Sequence, residues 1–423
     1  MAGPPPPYDS IIASDGPNQF FGSGFPPSQE FEIVVSDPIK QGEGVGAHVT
    51  YKVKTRTSQP RFSRPSVEVS RRFRHFSALS EKLAERHRGV ILPALPEKST
   101  VQKFHMSAEF IESRRRALQT FLAKVACHPI LKDSKELQLF LEANDEEWML
   151  EIARWQGESS VAKAPVTGAV AWLKGLQHSA TNLMAGRRDD ALEDAEYIKV
   201  RDYINHLESH LNEAHRQAAR LVRKESELGL ALSEFGAAAE ALGKHDSSGG
   251  MRGPFDALFV RSNAVAALSR GRCEEMSSRF EAPLKEFARS VKSVQAVMGD
   301  RAAALADWAQ AKGELDSKKV RHAKLRATPG AKEESVSAAE RDVGEGETRV
   351  KNTRIGYDTI VSRMSEELSR FQRERSADMS SVLKEFALAQ AQLASEQAQA
   401  WSGFLADVQA TQAHTATMPT GMQ

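Results

Sequence analysis

The first third of the chain alternates hydrophobic and polar residues in short runs, and then changes to helical spacing. Strand-like runs, in which β-branched or aromatic residues alternate with polar ones, lie at 31–35, 49–55 and 67–69. Helical runs follow at about 76–87, 108–126 and 134–143. The pattern predicts an α+β domain over 29–145, built from a small antiparallel sheet and helices.

From 189 to 411 the apolar residues are spaced alternately three and four apart, which predicts an elongated all-α domain of three coiled-coil-like helices. The first seam runs through Tyr197, Val200, Ile204, Leu207, Leu211, Ala214, Ala218 and Leu221, and then through Leu228, Leu232, Phe235, Ala239 and Leu242. Breaks at 245–250 and 328–330 separate the three helices. Pro283 predicts a kink in the second helix. Because a three-helix rod leaves apolar surface uncovered, we predict a dimer.

The remaining segments predict two tails and a connector. Residues 1–28 are rich in proline and poor in apolar groups, so a disordered tail is expected there, and another at 412–423. The connector at 146–188 carries an apolar helical stripe with basic flanks, formed by Val170, Trp172, Leu173, Leu176 and Leu183. This amphipathic stripe fits insertion into a bilayer interface, and it also fits packing against the long helices.

Composition narrows the class of protein. The net charge of +1 gives no global attraction to nucleic acid, so electrostatic targeting requires local clusters. Two cysteines, far apart in the sequence, favour a reducing compartment over a disulfide framework. The chain shows no secretory signal and no apolar run of about 18 residues. We therefore expect any membrane contact to be peripheral and cytosolic.

The strongest chemical signal is a cationic strand end, a proline-set loop and a helix that opens with arginines. The segments read Arg71-Arg72-Phe73-Arg74-His75-Phe76, Leu92-Pro93-Ala94-Leu95-Pro96-Glu97-Lys98 and Phe110-Ile111-Glu112-Ser113-Arg114. Guanidinium groups bind phosphate oxygens bidentately, an ammonium adds a point charge, and an aromatic ring packs against a sugar face. Together they fit a phosphorylated inositol headgroup, whereas each residue alone also fits a solvated surface charge.

In this order the three segments resemble the PX (phox homology) family over about 30–145. The resemblance implies recognition of phosphatidylinositol 3-phosphate. It implies that Arg72 binds the 3-phosphate, Phe73 stacks on the inositol ring, Lys98 holds the 1-phosphate and Arg114 bonds the ring hydroxyls. Phe73 stands where the family often has tyrosine, so a hydroxyl is lost while stacking is kept.

A PX-like domain followed by three long helices resembles the sorting nexins of the PX-BAR class. Further matching segments lie at 215–222, 280–287 and 370–372. The resemblance implies a homodimer, or a heterodimer with another PX-BAR sorting nexin, and the cargo-selective subunits of retromer as partners. It also implies a peripheral protein in the cytoplasm and on the cytosolic face of endosomes, which senses or induces tubulation for cargo sorting and endosome-to-Golgi retrograde transport. The alternative is a structural coiled-coil scaffold whose head binds protein rather than lipid.

A second basic cluster stands at the reversal between the second and third long helices. It comprises Lys318, Lys319, Arg321, Lys324 and Arg326. At the tip of a rod, these charges would attract anionic lipid, at about 1 kcal/mol per basic residue near the surface. The same cluster also fits an ordinary soluble loop end.

No pattern predicts catalysis, a cofactor or a metal site. The glycines at 42–46 fit a relaxed dinucleotide-binding pattern, but a strand rather than a helix is predicted to follow them. His206 and His210 are four residues apart on a helix without an evident third metal ligand. We therefore expect a binding protein rather than an enzyme, with no cofactor.

Overall fold

A computed structural model describes residues 30–42, 47–96, 107–161, 194–245, 252–330 and 332–417. The part from 30 to 161, which we call the head, begins with three strands. They are β1 (Phe31–Gln41), β2 (His48–Thr57) and β3 (Ser66–Arg72). The strands form an antiparallel sheet in the order β1-β2-β3, with Val35 opposite Val53 and Val53 opposite Val69. The glycine segment after β1 thus lies between two hairpin strands, as the sequence indicated.

The described part of the head also contains four α-helices and a short 3-10 helix, Leu131–Asp133. The α-helices are α1 (Phe73–Arg86), α2 (Ala108–Cys127), α3 (Lys135–Glu142) and α4 (Asp145–Val161). The serines that precede α2 and α3, Ser107 and Ser134, accept backbone N–H groups of the first turn and so fix where each helix begins. The core extends past the predicted boundary at 145, because Trp148 of α4 is fully buried and Trp155 packs against it.

The outer edge of β1 is covered by side chains of α2. Gln119 accepts the N–H of Val35 and donates to the carbonyl of Ile33, while Arg115 donates to the carbonyl of Val35. These bonds occupy groups that an open strand edge would offer to another strand. The amide of Gln119 therefore fixes α2 on the sheet.

The long-helix region consists of α5 (Ala195–His245), α6 (Arg252–Met276), α7 (Ala282–Ala327) and α8 (Glu333–Thr417). The π-helical turn Ser277–Glu281 joins α6 to α7, so these form the second of the three predicted helices. This turn ends two residues before Pro283, where the sequence predicts a kink, and π-turns are a recognised cause of helix kinks. The predicted fold class, an α+β head followed by long helices, is confirmed.

The described residues divide into two compact units. The first contains the head with residues 194–204 and 290–373, and the second contains 205–289 and 374–417.

Within the first unit the head contacts α7 through the turn after α1. Arg88 donates to a carboxylate oxygen of Asp300 at 3.4 Å and to its backbone carbonyl at 3.2 Å. The N–H of Gly89 lies 3.3 Å from the other carboxylate oxygen. Gly89 has a φ of 88°, and a Cβ there would stand 3.2 Å from the carbonyl oxygen of Ile360. Glycine is therefore required at this close approach.

A second contact is built around the buried carboxylate of Glu367 on α8. It accepts the N–H of Ile91 at 2.9 Å, lies 3.1 Å from Nε2 of His128, and is bonded by Arg370 at 2.6 Å. Nδ1 of His128 accepts the backbone N–H groups of Ile130 and Leu131, so its ring proton is assigned to Nε2 and donated to Glu367. The head is thus joined to α8 by buried, mutually satisfied polar groups.

The charge of Glu367 is maintained by its donors. Burial alone would raise its pKa, but the hydrogen bonds from His128 and Arg370 outweigh that effect and hold the pKa down to about 2. Because the folded pKa lies below the ordinary value of 4.5, the carboxylate contributes its full stabilisation above about pH 4.5. That contribution is lost as the pH falls toward 2.

In the second unit three glycines of α5 face α6 at heptad spacing. They are Gly229, Gly236 and Gly243. A Cβ at Gly236 would lie 3.0 Å from Cβ of Ser262, and one at Gly243 would lie 2.8 Å from Cβ of Phe255. The two helices therefore approach more closely than side chains would permit.

This glycine face changes which residues of α5 are covered. The predicted seam is buried at Val200, Ile204, Leu211 and Ala218. After Ala218 the large apolar residues point to solvent instead, in a second heptad series that we call the leucine stripe: Leu221, Leu228, Phe235 and Leu242, which are 43 to 57% exposed. Leu228, Phe235 and Leu242 of the predicted seam are therefore exposed within the chain, because the glycines occupy the contact with α6.

We predict that Glu367→Gln lowers the free energy of unfolding at pH 7 by about 1–3 kcal/mol, because buried donors lose a charged acceptor. The difference from wild type should shrink as the pH falls from 4.5 toward 2. Glu366→Gln is the matched control, since Glu366 is exposed on the same helix. Thermal unfolding followed by circular dichroism across this pH range measures both, and equal effects of the two variants would contradict the assignment.

Candidate functional site

The end of β3 directs two consecutive arginines to different surroundings, because successive side chains of a strand point to opposite faces. Arg71 is fully buried. Its guanidinium donates to the carbonyls of Phe140 (3.0 Å) and Ala143 and pairs with Asp145 at 3.1 Å. Burial lowers the pKa of Arg71 to about 10, partly opposed by Asp145, so the group remains charged at neutral pH. Arg71 joins the sheet to α3 and α4 and is not available to a ligand.

Arg72, in contrast, is half-buried and stands immediately before the first turn of α1 in an extended conformation. Its Nε lies 3.2 Å from Nε2 of His75. Over the ranges that the structure covers, no hydrogen bond or ion pair occupies the two terminal nitrogens of Arg72. A guanidinium with this free end can bind an anion through two parallel hydrogen bonds.

Phe73 and Arg114 are brought together, although they are 41 positions apart. The guanidinium carbon of Arg114 lies 4.6 Å from the ring centroid of Phe73 and 4.4 Å from that of Phe110. Burial lowers the pKa of Arg114, and Tyr51 opposes this. The cation is therefore held between two rings, next to the residue that follows Arg72.

Of the other residues that the sequence predicts to bind lipid, some lie outside the described ranges and some lie at the end of α7. Lys98 lies in 97–106, and the connector stripe Val170, Trp172, Leu173, Leu176 and Leu183 lies in 162–193, both outside the described residues. The basic cluster is on the last turns of α7, where Lys319 pairs with Glu347 at 3.0 Å and Arg321 with Asp342 at 3.5 Å. Acidic residues of α8 thus balance part of its charge. Lys318, Lys324 and Arg326 belong to the same helix end.

His75 is the residue of this site to which the sequence analysis gave no role. It occupies the third position of α1, where the glutamate of a capping box ordinarily bonds back to the residue before the helix. This position in the sequence was the signal that His75 contacts Arg72, because a neutral imidazole, like a glutamate, can accept a hydrogen bond.

The described residues contain no group of three or more His, Cys, Asp or Glu side chains that could hold a metal ion. None of their helices is long and apolar enough to span a bilayer.

The comparisons with known proteins identify both parts of the chain. A family model described as "PX domain" matches residues 59–144, and one described as "Vps5 C terminal like" matches residues 178–407. Sorting nexin 1 of Arabidopsis thaliana is 33% identical over 90% of this chain and 92% of its own length. Human Sorting nexin-2 is 26% identical over 90% of this chain and 73% of its own length.

One solved structure shares the fold over most of the chain. The cryo-EM structure of the SNX-BAR Mvp1 tetramer has a TM-score of 0.56 and 17% identity, covering 88% of this chain and 99% of that one.

We predict that the adjacent arginines differ in their effect on stability. Arg71→Met should lower the free energy of unfolding by about 3 kcal/mol, because it leaves buried carbonyls without donors. Arg72→Met should change it by less than about 1 kcal/mol, since the side chain is only half-buried. Chemical denaturation of both variants provides the test, and an equal loss of stability would refute the separation of roles.

Proposed function

Because the chain belongs to the sorting nexins of the PX-BAR class, a membrane-associated and non-enzymatic family of trafficking adaptors, we propose that its head binds phosphatidylinositol 3-phosphate on endosomes. In this proposal Arg72 binds the 3-phosphate and Phe73 packs on the inositol ring. Arg114 bonds the ring hydroxyls and Lys98 the 1-phosphate.

The guanidinium end of Arg72, to which none of the described residues is bonded, is the observation that carries the proposal. Three arginines lie at 71, 72 and 74, and they differ in their surroundings. Arg71 donates its hydrogen bonds to buried acceptors. Arg74 is exposed and contacts the sulfur of Met149 at 3.5 Å. Arg72 alone of the three combines partial burial, a held Nε and an aromatic neighbour that itself touches Arg114. A guanidinium that is partly removed from water attracts a phosphate more strongly than a fully solvated guanidinium does, and the adjacent ring can pack against the sugar.

The long helices supply the second part of the proposal, a dimer that carries two heads. The Mvp1 neighbour is a tetramer, which supports assembly of this chain into oligomers. The leucine stripe is a continuous exposed apolar series on α5 at the spacing of a helix–helix seam, and it fits the same stripe of a second chain or of a related nexin. Two weak lipid sites on one particle then act together through effective concentration.

We further propose that the connector stripe inserts into the bilayer interface and that the basic end of α7 contacts anionic lipid. Of that cluster, Lys318, Lys324 and Arg326 carry the attraction, because Lys319 and Arg321 are already paired with α8. A dimer that engages the bilayer at these points senses or induces tubulation. Its task is then retromer-linked cargo sorting and retrograde transport from endosomes to the Golgi.

We predict that Arg72→Ala weakens binding to vesicles containing phosphatidylinositol 3-phosphate by about 10-fold or more, because a charge-assisted bidentate contact is lost. Arg74→Ala removes the same charge two residues away, and it should weaken binding by at most about fivefold. Co-sedimentation with and without the phosphoinositide measures both. Binding that is indifferent to the lipid and to Arg72 would contradict the proposal and favour a scaffold whose head binds protein.

We also predict that Phe235→Glu raises the dimer dissociation constant by about 30-fold or more, because it places a charge in a buried apolar seam. Leu230→Glu is a matched control on the same helix, since Leu230 is 56% exposed and Phe235 is 55% exposed. The two residues stand about 140° apart around the helix axis. Sedimentation velocity over a range of concentrations distinguishes them, and a wild-type dimer for Phe235→Glu would refute the leucine stripe as the interface.

A further inference from the structure

His75 is buried in the first turn of α1, with its ring edge against Trp148 of α4 at a centroid distance of 6.3 Å. Its two ring nitrogens face one residue. Nε2 lies 3.2 Å from Nε of Arg72, and Nδ1 lies 3.5 Å from the backbone nitrogen of Arg72. The imidazole therefore borders the arginine proposed to bind the 3-phosphate, and its other side is covered by the core of the head.

Only an unprotonated ring nitrogen can accept a hydrogen bond from Arg72. The charged form of His75 is disfavoured first by burial and then by the positive charges of Arg71 and Arg74 and by His48, so its pKa is lowered to about 4. The imidazole is consequently neutral at neutral pH. A neutral imidazole has one acceptor nitrogen, and the shorter contact, 3.2 Å against 3.5 Å, assigns that role to Nε2. The single ring proton is then on Nδ1, so the approach of Nδ1 to the backbone nitrogen of Arg72 is a contact and not a hydrogen bond.

We propose that His75 is a positioning residue of the headgroup site, which holds Nε of Arg72 and turns the two terminal nitrogens of that arginine toward the phosphate. The inference rests on the proposed function and adds a residue to it. His75 does not touch the ligand; it acts through Arg72.

The physical gain is preorganisation. A long arginine side chain has many rotamers, and a ligand that binds it must offset the entropy of fixing one of them. A hydrogen bond to Nε fixes the plane of the guanidinium before the ligand arrives. It also selects the binding mode, because a guanidinium whose Nε is occupied binds a phosphate end-on through its terminal pair of nitrogens.

The test compares two variants of the full chain on vesicles that contain phosphatidylinositol 3-phosphate. His75→Leu removes the acceptor and should weaken binding by about 10-fold. His75→Gln retains a side-chain carbonyl oxygen that can accept a hydrogen bond from Nε of Arg72, and it should stay within about threefold of wild type. Wild-type affinity for His75→Leu, or an equal loss in both variants, would overturn the proposal.

A double-mutant cycle separates positioning from general damage. In an Arg72→Ala background, His75→Leu should cause no further loss, because the group that it positions is already absent. A further 10-fold loss would show that the histidine acts through the fold instead. Failure of wild type itself to bind these vesicles would reject the proposed function, whereas binding by wild type that is unaffected by His75→Leu rejects only this inference.

A measurement on the unmodified sequence does not depend on whether His75→Leu folds. In the ¹⁵N-histidine-labelled chain, which has 12 histidines, the signal lost in His75→Gln identifies His75. Its nitrogen shifts should report a neutral ring protonated at Nδ1, and Nε2 should respond to inositol 1,3-bisphosphate. A proton on Nε2, or a charged ring at neutral pH, would overturn the assignment.

Discussion

The buried guanidinium of Arg71 is the interaction on which the head depends. A charge in a core is tolerated only when it is fully paired, and Arg71 meets that condition with carbonyls of α3 and its end and with a carboxylate at the start of α4. Those partners fix where β3 ends relative to both helices. Strand alternation then places Arg72 on the opposite side, next to Phe73 and within reach of His75. Because the two arginines are consecutive in β3, the bonds that hold Arg71 also set the direction in which the side chain of Arg72 leaves the strand.

A comparable separation of roles occurs along α5. Glycines at heptad spacing form a face without side chains, and α6 packs closely against it. The leucine stripe has the same period and is left uncovered. Small residues thus serve contacts within the chain, and under the proposed assembly the exposed large apolar residues serve contacts with another chain. The same helix then packs against α6 through one face and retains an apolar surface on another.

The sequence predicts much of this architecture because its signals are local. Periods of two and of three to four residues identify the strands and helices, and the π-turn Ser277–Glu281 lies close to Pro283, where the sequence predicts a kink. The contacts that join the head to α7 and α8 could not be predicted, since His128 and Glu367 are 239 residues apart and neither carries a pattern. Likewise, the seam of α5 identifies Leu228 and Phe235 as members of an apolar face, but periodicity does not show whether the helix that covers such a face belongs to the same chain or to another. The partners of Arg71 and the proposed role of His75 could not be predicted either, because both depend on residues that are brought close only by the tertiary fold.

The proposed headgroup site is tested most directly by a crystal structure of the full chain with inositol 1,3-bisphosphate, the soluble headgroup of the proposed lipid. We predict that the 3-phosphate lies on the terminal nitrogens of Arg72, with Nε still bonded to His75 and the inositol ring against Phe73. Arg71 should keep its bonds to the carbonyls of Phe140 and Ala143. A headgroup held by other cations, with the guanidinium of Arg72 turned away from it, would contradict the account.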